Sequence, residues 1–390
     1  MFALALASIV LIGPLAVHQY MPAIPAVKAE FGISDGAAQL TFTVGVFVLA
    51  CSTVVYGTLA DRFGRRPVLL TGLALFLIGN AIAASAASLP MLILGRVLQG
   101  AGAGCATTLV RTIARDAYGQ QNLVKAISYL TMFYTLGPMI APLMGGILID
   151  AFGWRATFMF ALLFGGAIAF GAWAVLYETH TGQRTQLEFG AIVRGYIDPF
   201  RNPRFAAFVL QTGFSSGIFF MLTSASAVIM KEQLGRSSTD YGLYFLMLPF
   251  GFLTGNVISS RVASRFGIEK MVLAGSCLMV TAVVAQAVLL LGGIVTPLSL
   301  FGPMFFMTLA QGISLASAQT GAIAMMPGSV GTAAGIGVFV QMFVGALMAQ
   351  IYGLVAGPSV TPLVTLSLIC AVCVMVAGAL PYRLARQVGA

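Results

Sequence analysis

The sequence predicts an all-α membrane protein, with twelve transmembrane helices in two pseudo-symmetric six-helix bundles. Three observations carry that class. The 390 residues are 59% hydrophobic and only 8% charged, whereas soluble domains carry roughly 25% charged residues. So much apolar surface needs lipid as its solvent. Apolar runs of about 20 residues, the length that crosses a bilayer core, recur twelve times along the chain. A charged turn also recurs. Gly57-Thr-Leu-Ala-Asp-Arg-Phe-Gly-Arg-Arg-Pro67 is echoed 203 residues later by Ser260-Arg-Val-Ala-Ser-Arg-Phe-Gly-Ile-Glu-Lys270. One copy per half-chain, each between apolar segments, is the mark of a duplicated bundle, and duplicated helical bundles are characteristic of transporters.

The runs lie near 2–27, 37–59, 67–87, 91–113, 126–149, 155–177, 205–230, 239–260, 270–292, 297–322, 328–355 and 361–381. The first starts at Met1 and runs into Pro22 and Pro25. It reads as a membrane helix, not a cleavable signal, with an N-terminal tail expected to be missing. Gly292, Gly293 and Pro297 leave only a tight turn between the ninth and tenth runs. Residues 1–177 are expected to form the N-terminal bundle and 205–390 the C-terminal one. A cytoplasmic linker, 178–204, joins them. In it Leu187, Phe189, Ile192, Val193 and Tyr196, among Glu188, Arg194 and Asp198, suggest a short interfacial helix.

Orientation follows from the basic residues. With the N-terminus inside, the inner loops hold fifteen: Arg62, Arg65, Arg66, Arg111, Arg115, Lys125, Arg184, Arg194, Arg201, Arg204, Arg261, Arg265, Lys270, Arg383 and Arg386. The outer loops hold four, Lys28, Arg155, Lys231 and Arg236. Both termini are therefore expected in the cytoplasm. The net charge of +9 is spread over these short loops, which excludes a nucleic-acid surface. The five cysteines lie inside apolar runs and read as small buried hydrophobes. No phosphate-binding Gly-Lys-Ser/Thr loop is present. With His18 and His180 as the two histidines, no metal-ligand cluster forms. No enzyme chemistry, cofactor or metal is expected.

This architecture resembles the major facilitator superfamily over essentially the whole chain, and four segments sharpen the resemblance. Gly57–Pro67 resembles the signature loop between helices two and three. There Gly57 would let helices approach closely. Asp61 would sit at an opposing helix N-terminus or against an arginine. With Arg62, Gly64, Arg65 and Arg66, these residues would form a gate that breaks when the carrier opens inward. Leu94-Gly-Arg-Val-Leu-Gln-Gly-Ala-Gly-Ala-Gly104 resembles the fourth-helix motif. Arg96 is a charge well inside a span, where charge is expensive. Helical spacing puts it on one face with Gln99, Gly100, Ala103 and Thr107. Leu136-Gly-Pro-Met-Ile-Ala-Pro-Leu-Met-Gly-Gly146 resembles the fifth-helix motif of drug exporters that exchange substrate for protons. Gly137, Pro138, Pro142, Gly145 and Gly146 would bend and loosen that helix. Gly331-Thr-Ala-Ala-Gly-Ile-Gly-Val-Phe-Val-Gln341 and Tyr20-Met-Pro-Ala-Ile-Pro25 resemble the bicyclomycin/chloramphenicol-resistance (Bcr/CflA) type.

That resemblance implies a monomeric drug:proton antiporter in the bacterial inner membrane, with a small molecule and protons as partners. The pattern breaks at His18, where the type usually carries an aspartate, and no Asp or Glu lies deep in any predicted run. An ordinary imidazole, with a pKa near ~6.5, exchanges protons close to neutral pH. His18 and Arg96 both lie about 8–10 Å below the outer surface, at ~1.5 Å per residue. They are the candidates for proton coupling, and an anionic substrate group would pair with Arg96. The alternative role for His18 is a plain hydrogen bond between helices. Candidate cavity residues are Tyr20, Gln99, Met132, Tyr134, Gln211, Phe214, Ser215, Gln311 and Gln341. In the tenth run Gln311-Gly312 matches Gln99-Gly100, but Thr308 stands where Arg96 would be. Efflux of small organic compounds by alternating access is the leading expectation. A substrate-specific facilitator or uptake carrier without proton coupling is the alternative, and a non-transporting sensor on this scaffold is the other.

Overall fold

The computed structural model describes residues 1–179, 189–326 and 329–388. Twelve helices are long and apolar enough to span a bilayer, with mean hydropathies of 1.2 to 2.6. Among the described residues there is no strand. The first six spans are Phe2–Phe31, Asp35–Phe63, Arg65–Ala84, Leu89–Gly119, Tyr129–Phe152 and Arg155–Val175. The second six are Pro203–Glu232, Ser238–Phe266, Ile268–Leu291, Pro297–Ala324, Gly331–Val355 and Thr361–Ala385. Large apolar side chains such as Leu163, Phe170 and Val288 remain exposed along them, which suits lipid and not water.

Local chemistry sets the helix ends. Ser34 caps the second span by accepting from the Ala37 amide at 3.3 Å, and Gly64 ends it with φ of +100°, a backbone state that favours glycine. Thr296 and Ser299 form a reciprocal capping box at the start of the tenth span. Pro14, Pro22 and Pro25 remove amide donors from the first span. It is accordingly split into Phe2–Val10, Ile12–His18 and Ile24–Phe31 with a tight turn at Met21–Ala23. Pro249 likewise cannot donate to the Phe245 carbonyl, and the eighth span breaks into Ser238–Phe245 and Met247–Phe266.

The expected inner loop between the fourth and fifth runs is not a loop. Two helices within Leu89–Phe152 meet at a kink at Gly119, whose φ of 63° and ψ of 176° are not helical. Good helix formers such as Leu123, Val124, Lys125 and Ala126 continue the turn after that single break. The second of these helices continues through Pro138 and Pro142 without a further non-helical residue.

The chain divides into two compact units. One is Met1–Leu187 with Gly235–Gly242, and the other is Glu188–Leu234 with Leu243–Ala390. Inside each, small residues set the closest helix approaches. A Cβ on Gly100 would strike the Gly45 carbonyl, and one on Gly312 would strike the Phe252 carbonyl, so these helices meet backbone to backbone. Gly57 behaves otherwise than expected. Nothing lies within 4 Å of a Cβ built there, so it mediates no close approach in this structure.

A helix covers Phe189–Ile197. Its Tyr196 ring meets Phe339 edge-on at 6.4 Å, so this part of the segment packs on its own unit. Arg184, Leu187 and Glu188 lie outside the described residues, as do the side chains of Lys125, Phe189, Ile192, Val193 and Arg386.

Candidate functional site

The first unit holds a buried cation without a buried anion. Arg96 is 1% exposed. Its Nε donates to the Thr41 carbonyl at 2.9 Å and its Nη1 to the Ala16 carbonyl at 3.1 Å and to Gln99 Oε1. Its guanidinium lies over the Tyr20 ring at 4.5 Å. Gln99 Nε2 passes the chain on to Asn80 Oδ1 at 2.8 Å, and Asn80 Nδ2 donates to the Phe76 carbonyl at 2.8 Å. Tyr20 and Thr41 share a 2.6 Å hydroxyl contact. The first four spans are thus tied at one point. Gly45 makes room for it, since a Cβ there would collide with the guanidinium. Carbonyl oxygens and an aromatic face replace the carboxylate that a buried arginine usually finds.

The structure brings Tyr20 and Gln99 to Arg96 as its partners, and both are buried. The partners of Arg96 do not include His18, which is buried at the end of the helix Ile12–His18. The guanidinium is also closed off, so an anionic group cannot reach it in this conformation. Of the remaining cavity candidates, Ser215 and Gln311 border one cleft in the second unit. Met132 is exposed, Tyr134 and Phe214 are half-buried, and Gln211, Ser215 and Gln341 are buried.

Asp61 and Arg65 of the candidate gate belong to a charged cluster, and two of its members, Asp116 and Glu178, were not among the candidates. Arg65 pairs with Asp61 at 2.5 Å and with Asp116 at 3.1 Å, its side chain only 6% exposed. The Glu178 carboxylate accepts from the Arg65 and Arg66 amides at 2.9 and 3.2 Å. It therefore caps the third span, at the positive end of the helix dipole. Arg66 also donates to the Trp173 carbonyl at 2.9 Å, while Arg62 reaches over Phe63. Asp116 and Glu178 come from the ends of the fourth and sixth runs. Their acidity next to an arginine-rich loop was the available signal. In the second unit, Glu269 at the echoed turn pairs with Arg204 at 2.8 Å.

The glycines and prolines of the fifth span serve contacts. Gly137 faces Pro14, Gly145 faces the Gln19 carbonyl, and Gly146 faces the Ser238 carbonyl. The peptide around Pro142 and Leu143 lies against Gly242. One turn further on, Asp150 accepts from the Ser238 and Thr239 amides at 3.1 and 2.7 Å and from the Thr239 hydroxyl at 2.6 Å.

The second unit has a neutral polar node. Gln211 Nε2 reaches Ser215, Ser276 and Ser314 hydroxyls at 3.4, 3.3 and 3.2 Å. Its Oε1 is buried without a donor. Beside it a cleft opens between the seventh, ninth and tenth spans, bordered by Ser215, Phe219, Met279, Met307, Thr308 and Gln311. Among the described residues no three His, Cys, Asp or Glu side chains cluster as metal ligands.

Residues 2–349 match the Major Facilitator Superfamily. The chain is 32% identical over 267 residues to multidrug resistance protein D of Escherichia coli strain K12, a match that covers 67% of this chain and 66% of the relative. It is 24% identical over 360 residues to a bicyclomycin resistance protein homolog of Haemophilus influenzae, covering 90% and 88%. Its fold is that of a bacterial homolog of the human lysosomal transporter Spinster, with a TM-score of 0.76, 18% identity, and 98% and 96% of the two chains covered. A D-xylose-proton symporter shares it too, with a TM-score of 0.72, 15% identity, and 96% and 97% covered. Twelve spans, a duplicated architecture and a match over most of the length leave one assignment: this multi-pass membrane protein is a transporter, not an enzyme, and belongs to the Major Facilitator Superfamily.

Proposed function

We propose that the chain exports small organic, drug-like compounds by alternating access, in exchange for protons. One observation carries this: the nearly full-length similarity to a bicyclomycin resistance protein homolog, joined by the exporter-like segment Leu136–Gly146. The protein works as a monomer in a bacterial inner membrane, with both termini in the cytoplasm. Residues 1–177 and 205–390 are its two moving bundles, and 178–204 is the tether. Asp61 and Arg65, with Asp116 and Glu178, latch the inner side of the first bundle. His18 carries the proton from a buried position on the first span, and Arg96 holds the surrounding helices in register. The test is efflux of a compound panel from vesicles with an imposed pH gradient. Wild type should respond to the gradient, and His18→Asp should keep that response. His18→Ala should lose it. Full proton-driven transport by His18→Ala would remove His18 from the mechanism.

One observation favours a second reading, an uncoupled facilitator. Arg96 is satisfied by neutral acceptors, and the acidic residues sit at span ends. Counterflow indifferent to pH would select that reading.

A further inference from the structure

The echoed turn of the second unit is not built like the first. At the spacing of 203 residues, Asp61 and Arg65 correspond to Ser264 and Ile268, which cannot form their ion pair. The second copy has two cations that the first lacks. Arg261 stands where the first copy has Thr58, and Lys270 where it has Pro67, while Arg265 corresponds to Arg62. Arg261, Arg265 and Lys270 are all exposed. Glu269, in the same turn, is taken by Arg204 at 2.8 Å. Among the described residues, no carboxylate lies within ion-pair distance of Arg261, Arg265 or Lys270.

Their places on the helices say what these cations face. Along the eighth span, Phe250, Thr254, Val257 and Ile258 are exposed. Steps of three and four residues carry that same face on to Arg261 and Arg265. Along the ninth span, Lys270 heads a second exposed stripe through Ala274, Cys277, Val284 and Val288. Both stripes are mostly apolar and uncovered, the kind of surface that lipid solvates. The cations sit at the ends of the stripes. The eighth span ends at Phe266 and the ninth begins at Ile268. At ~1.5 Å per residue, Arg261 lies about 8 Å from the first of these ends and Lys270 about 3 Å from the second. Their long side chains reach headgroup level from there. Arg265 extends over the Phe266 ring, 5.9 Å from its centroid. That ring is itself exposed, as aromatic rings at a membrane–water boundary are.

We propose that Arg261, Arg265 and Lys270 bind the headgroup of an anionic phospholipid in the leaflet at this end of the protein. A zwitterionic headgroup carries its own ammonium and gains little from three more cations, whereas a net negative one gains from each. The guanidinium forks of Arg261 and Arg265 match phosphate oxygens, and Lys270 adds a third charge. The acyl chains lie along the two apolar stripes. Each cation near the membrane surface strengthens such binding about fivefold. The two copies of the turn thus use their charges oppositely. The first closes Arg65 on Asp61 and Asp116, and the second turns its cations outward to lipid. This role goes beyond export and is measurable without transport.

The experiment titrates the purified full chain in detergent with dioleoylphosphatidylglycerol and, separately, with dioleoylphosphatidylcholine, and counts bound lipids by native mass spectrometry. The first phosphatidylglycerol should bind about tenfold or more tightly than phosphatidylcholine. The triple variant Arg261→Gln, Arg265→Gln, Lys270→Gln changes exposed positions only. It should keep the wild-type unfolding temperature and lose most of that preference. Arg261→Lys with Arg265→Lys keeps the charge and should keep the preference. Arg111→Gln with Arg115→Gln, which removes two exposed cations from the first unit, should leave it unchanged. Equal affinity for the two lipids would overturn the proposal. So would a preference that survives in the folded triple variant, or one that falls as far in the Arg111 and Arg115 variant. Displacement of phosphatidylglycerol by millimolar inorganic phosphate would overturn it too, since the site would then take the free anion. Should the triple variant unfold, Lys270→Gln alone decides: a loss of about fivefold is expected, and an unchanged affinity sinks the idea.

Discussion

Replacing Arg96 by lysine and by methionine separates two accounts of a buried cation. The guanidinium spreads three hydrogen bonds over two nitrogens, to Thr41, Ala16 and Gln99. A lysine keeps the charge and its full desolvation penalty but has a single nitrogen, so it loses one or two of those bonds. At about 1.5–3 kcal/mol for each hydrogen bond to a charged group, Arg96→Lys should destabilise by roughly 1.5–6 kcal/mol. Arg96→Met removes the charge as well. It leaves the Gln99 oxygen and the Ala16 carbonyl short of a donor, at about 1–3 kcal/mol each. The desolvation penalty it relieves is also several kcal/mol. The two nearly cancel, so Arg96→Met should lie within about 2 kcal/mol of wild type. The conservative change is thus expected to be the worse one. Thermal unfolding of the three proteins in one detergent, followed by tryptophan fluorescence, gives the order directly. A lysine variant as stable as the methionine variant, or more so, would refute the claim that fork geometry, not charge, holds this site. Efflux should fall in both variants, because both break up the fork that ties the first spans together.

Four further outcomes follow from particular contacts. Gly100→Ala should destabilise by about 1–3 kcal/mol, because its Cβ meets the Gly45 backbone, whereas Gly57→Ala, with open space around it, should unfold at the wild-type temperature. Asp116→Asn should lower stability by about 1–2 kcal/mol, discounted because its partner cluster is partly solvated. Arg65→Ala should do more damage, since it leaves Asp61 and Asp116 facing each other. Glu178→Gln should cost about 0.5–1 kcal/mol of cap energy, read as faster hydrogen exchange at the Arg65 and Arg66 amides. Asp150→Ala should speed exchange at the Ser238 and Thr239 amides and leave the third span's start unchanged; slow exchange at both amides in the variant would contradict the capping geometry.

The spans were legible because length and apolarity suffice to mark them in lipid. Interruptions were less so. Gly119 looks like any loop glycine until its neighbours prove helical on both sides, and the break after Phe245 needs Pro249 to be read backwards by four residues. At the site, Arg96 was visible as a charge in an apolar run. Its partners were not, because two of them are backbone carbonyls, which carry no signature in sequence. Two partners of Arg65 lie 51 and 113 residues away, and nothing local points to contacts of that range.

Gly119 has a mechanical meaning. The fourth and fifth spans are joined through one non-helical residue, where flexible loops would absorb relative movement through their own conformational freedom. A joint of one residue keeps the end of the fourth span, where Asp116 grips Arg65, beside the start of the helix that carries Asp150 to Ser238 and Thr239. Lengthening it with a few glycines after Gly119 should lower the unfolding temperature, because the added residues raise the entropy cost of bringing the two helices together.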